Sequence, residues 1–142
     1  MAARQSGKTT TMASIFAYLL TFSKEKNFML LANKEQTVIE IADKVIQVFK
    51  GLPYFLKPGC KSFGKTGFRL DNGCRIITGA TTKTTSIGFT VHLLYLDEFA
   101  HIDPNIVDSF WRSVYPTLSS SQLSQCMITS TPHGVDNKFY EI

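Results

Sequence analysis

Cysteine is scarce in this chain, and its few occurrences stand apart. Cys60, Cys74 and Cys126 are odd in number and form no C-x-x-C pair, so neither a disulfide framework nor a zinc site is indicated. A reducing cytosol is the expected compartment. Long apolar runs are missing too: none approaches the ~20 residues that a membrane-spanning helix needs. The polar, glycine-bearing N-terminus does not read as a secretory leader, and no membrane partner is expected. Charge is sparing, at 18% of residues with a formal net charge of +4, which permits contact with nucleic acid without arguing for it. His92, His101 and His133 share no ligand spacing and read as structural or surface residues. The aromatic residues, Trp111 among them, fall at helical or strand spacing and read as core, not as a base-stacking platform. Internal repeats and low-complexity segments are absent. What remains is a chain of 142 residues with 44% hydrophobic content, enough for one domain with a real core.

The first ten residues carry the clearest chemistry. Ala2-Ala3-Arg4-Gln5-Ser6-Gly7-Lys8-Thr9-Thr10 meets the phosphate-loop pattern G-x-x-x-x-G-K-[ST] at Gly7, Lys8 and Thr9, with Ala2 in place of the first glycine. Gly7 keeps a Cβ out of the way of a polyphosphate. Successive backbone N–H groups and the start of the next helix then point at the anion. Lys8 reaches the terminal phosphates, and the Thr9 hydroxyl sits on Mg²⁺. Arg4 adds a second cation. Taken alone, the stretch also reads as a basic turn before a helix. A phosphate loop ordinarily follows a buried strand, which Met1 and Ala2 cannot make. The expectation is therefore a longer protein whose first strand lies ahead of this chain.

Periodicity predicts a helix from Lys8 to about Ser23, with Ile15, Phe16, Leu19 and Leu20 on one face. Phe28 to Ala32 reads as a buried strand ended by Asn33. Glu35 to Gly51 reads as a second amphipathic helix with Gly51 as its C-cap. Counting the strand expected upstream, the order is strand, helix, strand, helix, which predicts a parallel α/β sheet. Leu52 to Gly59 is a proline-bracketed connector. Gly67 to Leu70 and Cys74 to Thr78 flank Asp71-Asn72-Gly73, a hairpin signal that predicts an antiparallel insertion beside the parallel sheet. Lys61, Lys65, Arg69 and Arg75 make this region basic, as a protected sheet edge often is. Ala80 to Thr90, with Lys83, reads as a loop. Val91 to Leu96 reads as a buried strand. Asp103 and Pro104 open a helix as N-cap and first residue, with Ile106, Val107, Phe110, Trp111 and Val114 as its buried stripe. Ser119 to Ser124 reads as a connector, Cys126 to Thr129 as another short buried strand, Ser130 to Gly134 as a turn, and Asn137 to Ile142 as the start of another helix.

The strand before Asp97-Glu98 is the second strong signal. An apolar run ending in adjacent acids puts carboxylates rigidly at the edge of a sheet, where open α/β folds bind ligands. There Asp97 is placed to hold Mg²⁺ through its water shell, and Glu98 to polarise an attacking water. A polar strand end is the competing reading of the pair alone; the upstream loop in the right order argues against it. Thr129, Ser130 and Thr131, at the end of the next strand, are placed to sense a γ-phosphate; without the other motifs they read as an ordinary turn before Pro132.

Three stretches resemble the ATPase domain of the large terminase subunit of tailed bacteriophages. Arg4-Gln5-Ser6-Gly7-Lys8-Thr9-Thr10 is similar to that family's variant phosphate loop. Leu93-Leu94-Tyr95-Leu96-Asp97-Glu98-Phe99-Ala100 is similar to its acidic strand. Ile128-Thr129-Ser130-Thr131-Pro132-His133-Gly134, with Phe139-Tyr140, is similar to its coupling motif. Leu52 to Gly59 and Leu70 to Gly73 also resemble the family, so the likeness covers nearly the whole chain. The resemblance implies a P-loop NTPase of α/β class, with a mainly parallel sheet flanked by helices, an antiparallel hairpin insertion and its first strand missing. It implies that Gln5, Ser6, Gly7, Lys8, Thr9 and Thr10 bind ATP, that Thr9 and Asp97 hold Mg²⁺, and that Glu98 is the catalytic carboxylate. Arg4 would touch the phosphates, and Thr129, Ser130 and Thr131 would couple phosphate loss to a domain motion. Double-stranded DNA, the portal protein, the small terminase subunit and a homo-oligomeric ring are the implied partners, in host cytoplasm and transiently at the procapsid portal. Residues 1–142 then read as a partial ATPase domain, without the N-terminal strand and without the family's C-terminal nuclease domain. A helicase-type P-loop ATPase and a truncated, non-catalytic remnant remain the alternatives.

Overall fold

The computed structural model describes residues 7–64, 67–81, 90–119, 124–131 and 139. In chain order these form helix α1 (Lys8–Phe22), strand β1 (Asn27–Ala32), helix α2 (Glu35–Gly51), strands β2 (Cys60–Gly64), β3 (Gly67–Leu70), β4 (Arg75–Ala80) and β5 (Leu93–Asp97), helix α3 (Pro104–Ser119) and strand β6 (Gln125–Ile128). Single 3-10 turns lie at Tyr54–Leu56 and Phe99–His101. All the strands join one sheet in the order β2-β3-β4-β1-β5-β6. β4, β1, β5 and β6 run parallel, and β2 and β3 extend the sheet antiparallel.

The apolar run of β1 is central because both its faces are covered. Phe28, Leu30 and Ala32 face a core closed by Met12, Ala13, Phe16 and Leu20 of α1 and Val38, Ile41 and Val45 of α2. Met29 and Leu31 face the other core, closed by Val107, Phe110 and Val114 of α3. β5 divides in the same way, Leu93 and Tyr95 to the first core and Leu94 and Leu96 to the second. A strand buried on both faces has no reason to alternate polar with apolar residues. As expected, Asp103 caps α3: its carboxylate accepts from Asn105 N at 2.8 Å, and Pro104 is the first helical residue.

The direction of α1 follows from its far end. Asn72, in the turn before β4, donates to Leu20 O at 2.7 Å and Ser23 O at 3.0 Å, so the C-terminus of α1 sits at the amino edge of the parallel strands. Its 15 residues reach about 22 Å, close to the ~20 Å of a six-residue strand. The first turn of α1 therefore lies at the carboxyl edge of the sheet.

The antiparallel hairpin is present, and its second strand is also a parallel neighbour of β1. β2 was not expected from the sequence; it forms the sheet's edge, with Lys61 on it and all its residues exposed. Gly51 is the last residue of α2 and not its cap; Leu52 N closes the end on Phe49 O at 3.2 Å. α3 runs through Ser119, past the expected start of the connector. Lys65, Lys83 and the turn from Pro132 to Gly134 lie outside the described residues, as does the helix expected over 137–142 apart from Phe139, which packs against the second core.

Candidate functional site

Gly7 starts the site. It is the N-cap of α1 at φ 77° and ψ 11°, a left-handed conformation that favours glycine. A Cβ there would meet nothing within 4 Å, so backbone angle and not crowding calls for glycine. Thr11 N bonds Gly7 O at 2.9 Å and closes the first turn. Lys8, Thr9, Thr10 and Thr11 bring no carboxylate to that turn, so the turn itself does not offset the positive end of the helix dipole. Arg4, Gln5 and Ser6 lie outside the described residues.

At the same edge Asp97 ends β5, opposite Ala32 of β1. It is 7% exposed. Its Oδ1 accepts from Thr129 Oγ1 at 2.7 Å and from Glu98 N at 3.0 Å. A carboxylate oxygen accepts only, so the Thr129 proton is committed to Asp97. The Tyr95 hydroxyl, 2.7 Å from Thr129 Oγ1, must then be the donor of that pair. Burial pushes the Tyr95 phenol well above its ordinary range, and the charges of Asp97 and Glu98 add to it. Tyr95 is thus a neutral donor, and Tyr95, Thr129 and Asp97 form a one-way relay. Thr129 is itself placed by the sheet, through Thr129 N to Leu96 O at 2.9 Å.

Glu98 stands just past the strand in the left-handed region, at φ 53° and ψ 38°. For a residue with a Cβ this costs about 1 kcal/mol and persists only where the surroundings over-determine it. They do so here. Phe99 and Ile102 are buried in the second core, and Trp111 meets the Phe99 ring edge-on at 6.2 Å. Phe99 N bonds Thr129 O at 3.3 Å, and Ala100 N bonds Ser130 Oγ at 3.0 Å. His101 Nε2 lies 2.9 Å from Thr131 Oγ1. Asn33 Nδ2, just beyond β1, donates to His101 O at 3.0 Å.

The structure therefore gathers Asp97, Glu98, Thr129, Ser130 and Thr131 into one hydrogen-bonded group, with Gly7, Lys8, Thr9 and Thr10 at the same edge of the sheet. Tyr95, Asn33 and His101 belong to the group as well. The sequence reading gave them less specific roles: a residue of an apolar run, a strand terminator and a structural or surface histidine. Among the described residues no three His, Cys, Asp or Glu side chains converge. What the edge provides is one anchored carboxylate and several hydroxyls, oxygen donors that suit a largely hydrated Mg²⁺ better than zinc.

Solved structures with this architecture include terminases. The ATPase domain of the Thermus phage P74-26 large terminase superposes with a TM-score of 0.78 at 22% identity, over 97% of this chain and 60% of that one. A large terminase from a thermophilic bacteriophage, in complex with ADP, gives 0.74 at 14% identity, over 99% and 35%. The HK97 bacteriophage large terminase gives 0.71 at 17% identity, over 91% and 28%. The chain thus spans 60% of the first structure and 35% or less of the other two. At such identities the likeness is one of fold. The sequence profile described as terminase large subunit, T4likevirus-type, N-terminal, matches residues 1–142. Over its whole length, the chain belongs to the terminase large-subunit family.

Proposed function

We propose that this chain is the ATP-hydrolysing part of a terminase motor that drives double-stranded DNA into procapsids. The observation that carries the reading is the shared edge: the glycine-led N-terminus of α1 and the Asp97–Glu98–Thr129 group lie at the carboxyl ends of one parallel sheet. Family membership and the fold support it. So do the relatives solved with ADP and with ATP-gamma-S.

In this reading Gln5, Ser6, Gly7, Lys8, Thr9 and Thr10 cradle the phosphates, Lys8 as the point charge and Arg4 as a second cation. Thr9 and Asp97 hold Mg²⁺, which supplies charge neutralisation on the phosphate oxygens when bound. Asp97 suits this role because Thr129 and Glu98 N both engage one of its oxygens, which fixes the orientation of the other. Glu98 takes the proton of the attacking water, and its left-handed backbone sets where the carboxylate reaches. Thr129, Ser130 and Thr131 contact both Asp97 and the Glu98 turn, as a segment that transmits phosphate loss should. Residues 1–142 form part of the ATPase domain; the portal protein, the small terminase subunit and further copies in a ring are the proposed partners, at the procapsid in host cytoplasm.

The test is a pair of variants. Glu98→Gln is expected to lower ATP turnover by at least about 100-fold, the scale of general-base catalysis, while retaining ATP binding. Lys8→Ala is expected to weaken ATP·Mg²⁺ binding. Full turnover in Glu98→Gln removes Glu98 from its role, and unchanged affinity in Lys8→Ala removes the loop from the site.

A further inference from the structure

We propose that His101 is a positioning residue for the Glu98 carboxylate, tying the turn that carries Glu98 to Thr131 on one side and to Asn33 on the other. The inference rests on the ATPase reading above.

His101 is bonded to the ends of three different strands. Its imidazole Nε2 meets Thr131 Oγ1 beyond β6 at 2.9 Å. Its backbone N donates to Glu98 O, beyond β5, at 2.9 Å. Its backbone O accepts from Asn33 Nδ2, beyond β1, at 3.0 Å. The other two links between the turn and the 129–131 segment leave from the backbone N–H groups of Phe99 and Ala100, which almost any residue could supply. Among the described residues, position 101 is where the turn uses a side chain in these links, so there residue identity matters to them. The bond from His101 N to Glu98 O then makes the connection short. A displacement of Thr131 moves the imidazole, and one hydrogen bond passes it to the backbone of Glu98. That backbone is held in the left-handed region, φ 53°, which relaxes when the restraint is lost. Phe99 is anchored in the core, so the turn pivots there and cannot shift as a whole. A hydroxyl and an imidazole nitrogen can each give or accept, so the contact holds in either neutral tautomer.

The experiment compares the wild type with His101→Ala, His101→Gln, Thr131→Val and the double variant His101→Ala/Thr131→Val. It measures kcat and KM for ATP, the Kd of a non-hydrolysed ATP analogue, and the thermal midpoint of each protein. Each of His101→Ala and Thr131→Val is expected to lower kcat about tenfold, the rate equivalent of one hydrogen bond, with the analogue's Kd within about twofold of wild type. The double variant should be no slower than the slower single, because both cut one bond. His101→Gln, whose amide can take the place of Nε2, should recover most of kcat. Wild-type kcat in His101→Ala overturns the proposal. So does an additive loss in the double variant, or a loss confined to KM. If His101→Ala does not fold, Thr131→Val and His101→Gln carry the same comparison from the other end of the bond. A wild type that neither binds nor hydrolyses ATP overturns the ATPase reading itself, and the positioning role with it.

Discussion

Among the described residues, Glu25 and Glu98 are the non-glycine residues with positive φ, and under the proposed function only Glu98 carries strain that serves chemistry. Relieving the angle with glycine should stabilise the fold by up to about 1 kcal/mol at either position. Glu25→Gly is expected to raise the unfolding free energy and leave ATP turnover alone. Glu98→Gly is expected to raise it similarly and abolish turnover, the trade that a functional site makes. Chemical denaturation of both variants beside a turnover assay checks this; a destabilised Glu98→Gly would show that its side chain, and not the site's chemistry, holds the turn. The Tyr95 relay makes a second prediction. Tyr95→Phe leaves the half-buried Thr129 Oγ1 without its donor, at a cost of about 1 kcal/mol, and frees Thr129 to turn away from Asp97. The Mg²⁺ concentration for half-maximal ATP turnover should then rise about tenfold, as for other groups that orient a metal ligand. An unchanged Mg²⁺ requirement would confine Tyr95 to packing. Lys8, Thr9, Asp97 and Glu98 were legible as candidates because a motif is a local pattern, and the elements that carry them end at one edge of the sheet. Tyr95, His101 and Asn33 were not legible, since the partners that define them lie 34, 30 and 68 residues away in sequence.

Among the elements, those with strong periodicity or a buried run were read to within a residue or two: α1, β1, α2 and β5. β6 was placed as well, although Gln125 and Cys126 are exposed at the sheet's other edge and not buried as expected. β2 was not, for a physical reason. Cys60-Lys61-Ser62-Phe63-Gly64 is exposed along its length, so no burial pattern marks it, and it is a strand only because β3 offers hydrogen bonds to pair with. Gly51 misled in the opposite way: glycine often follows a helix, yet here α2 runs through it. The Asp71–Gly73 turn was legible as a turn but not as the stop for α1. Asn72 donates to Leu20 O and Ser23 O and accepts from Cys74 N at 3.1 Å, and Gly73 at φ 83° leaves no space for a Cβ beside Glu25. Asn72→Ala deletes all three bonds and should cost about 2–4 kcal/mol, on the scale of about 1 kcal/mol each plus carbonyls left unpaired. A loss below about 1 kcal/mol in urea titration would show that water replaces the amide.

For the molecule as a whole, the two edges of the parallel sheet divide the work. The carboxyl edge holds the candidate chemistry, and the amino edge is laced shut from one side to the other. Arg75 Nε donates to Asn27 Oδ1 at 2.7 Å, joining β4 to β1. Asn27 N donates to His92 Nδ1 at 3.1 Å, and His92 N to Asn27 O at 2.9 Å, joining β1 to the start of β5. Gln125 N donates to His92 O at 2.9 Å, joining β6. His92 is the hinge of this lacing, and its Nδ1 can accept only while unprotonated. Burial depresses its pKa below the ordinary 6.5, and the Lys26 charge adds to the effect. The folded protein therefore binds fewer protons here than the unfolded chain, and stability rises with pH across the window. The contribution is full above about pH 6.5 and is lost as pH falls through the lower folded value. Urea midpoints at about pH 8 and about pH 5 should show a drop in the wild type and a smaller one in His92→Asn, whose amide oxygen can accept from Asn27 N without titrating. Every other group is common to the two proteins and cancels in the comparison. Equal drops would mean that the amino edge holds whether or not His92 is charged, and that the acid sensitivity of the fold originates elsewhere.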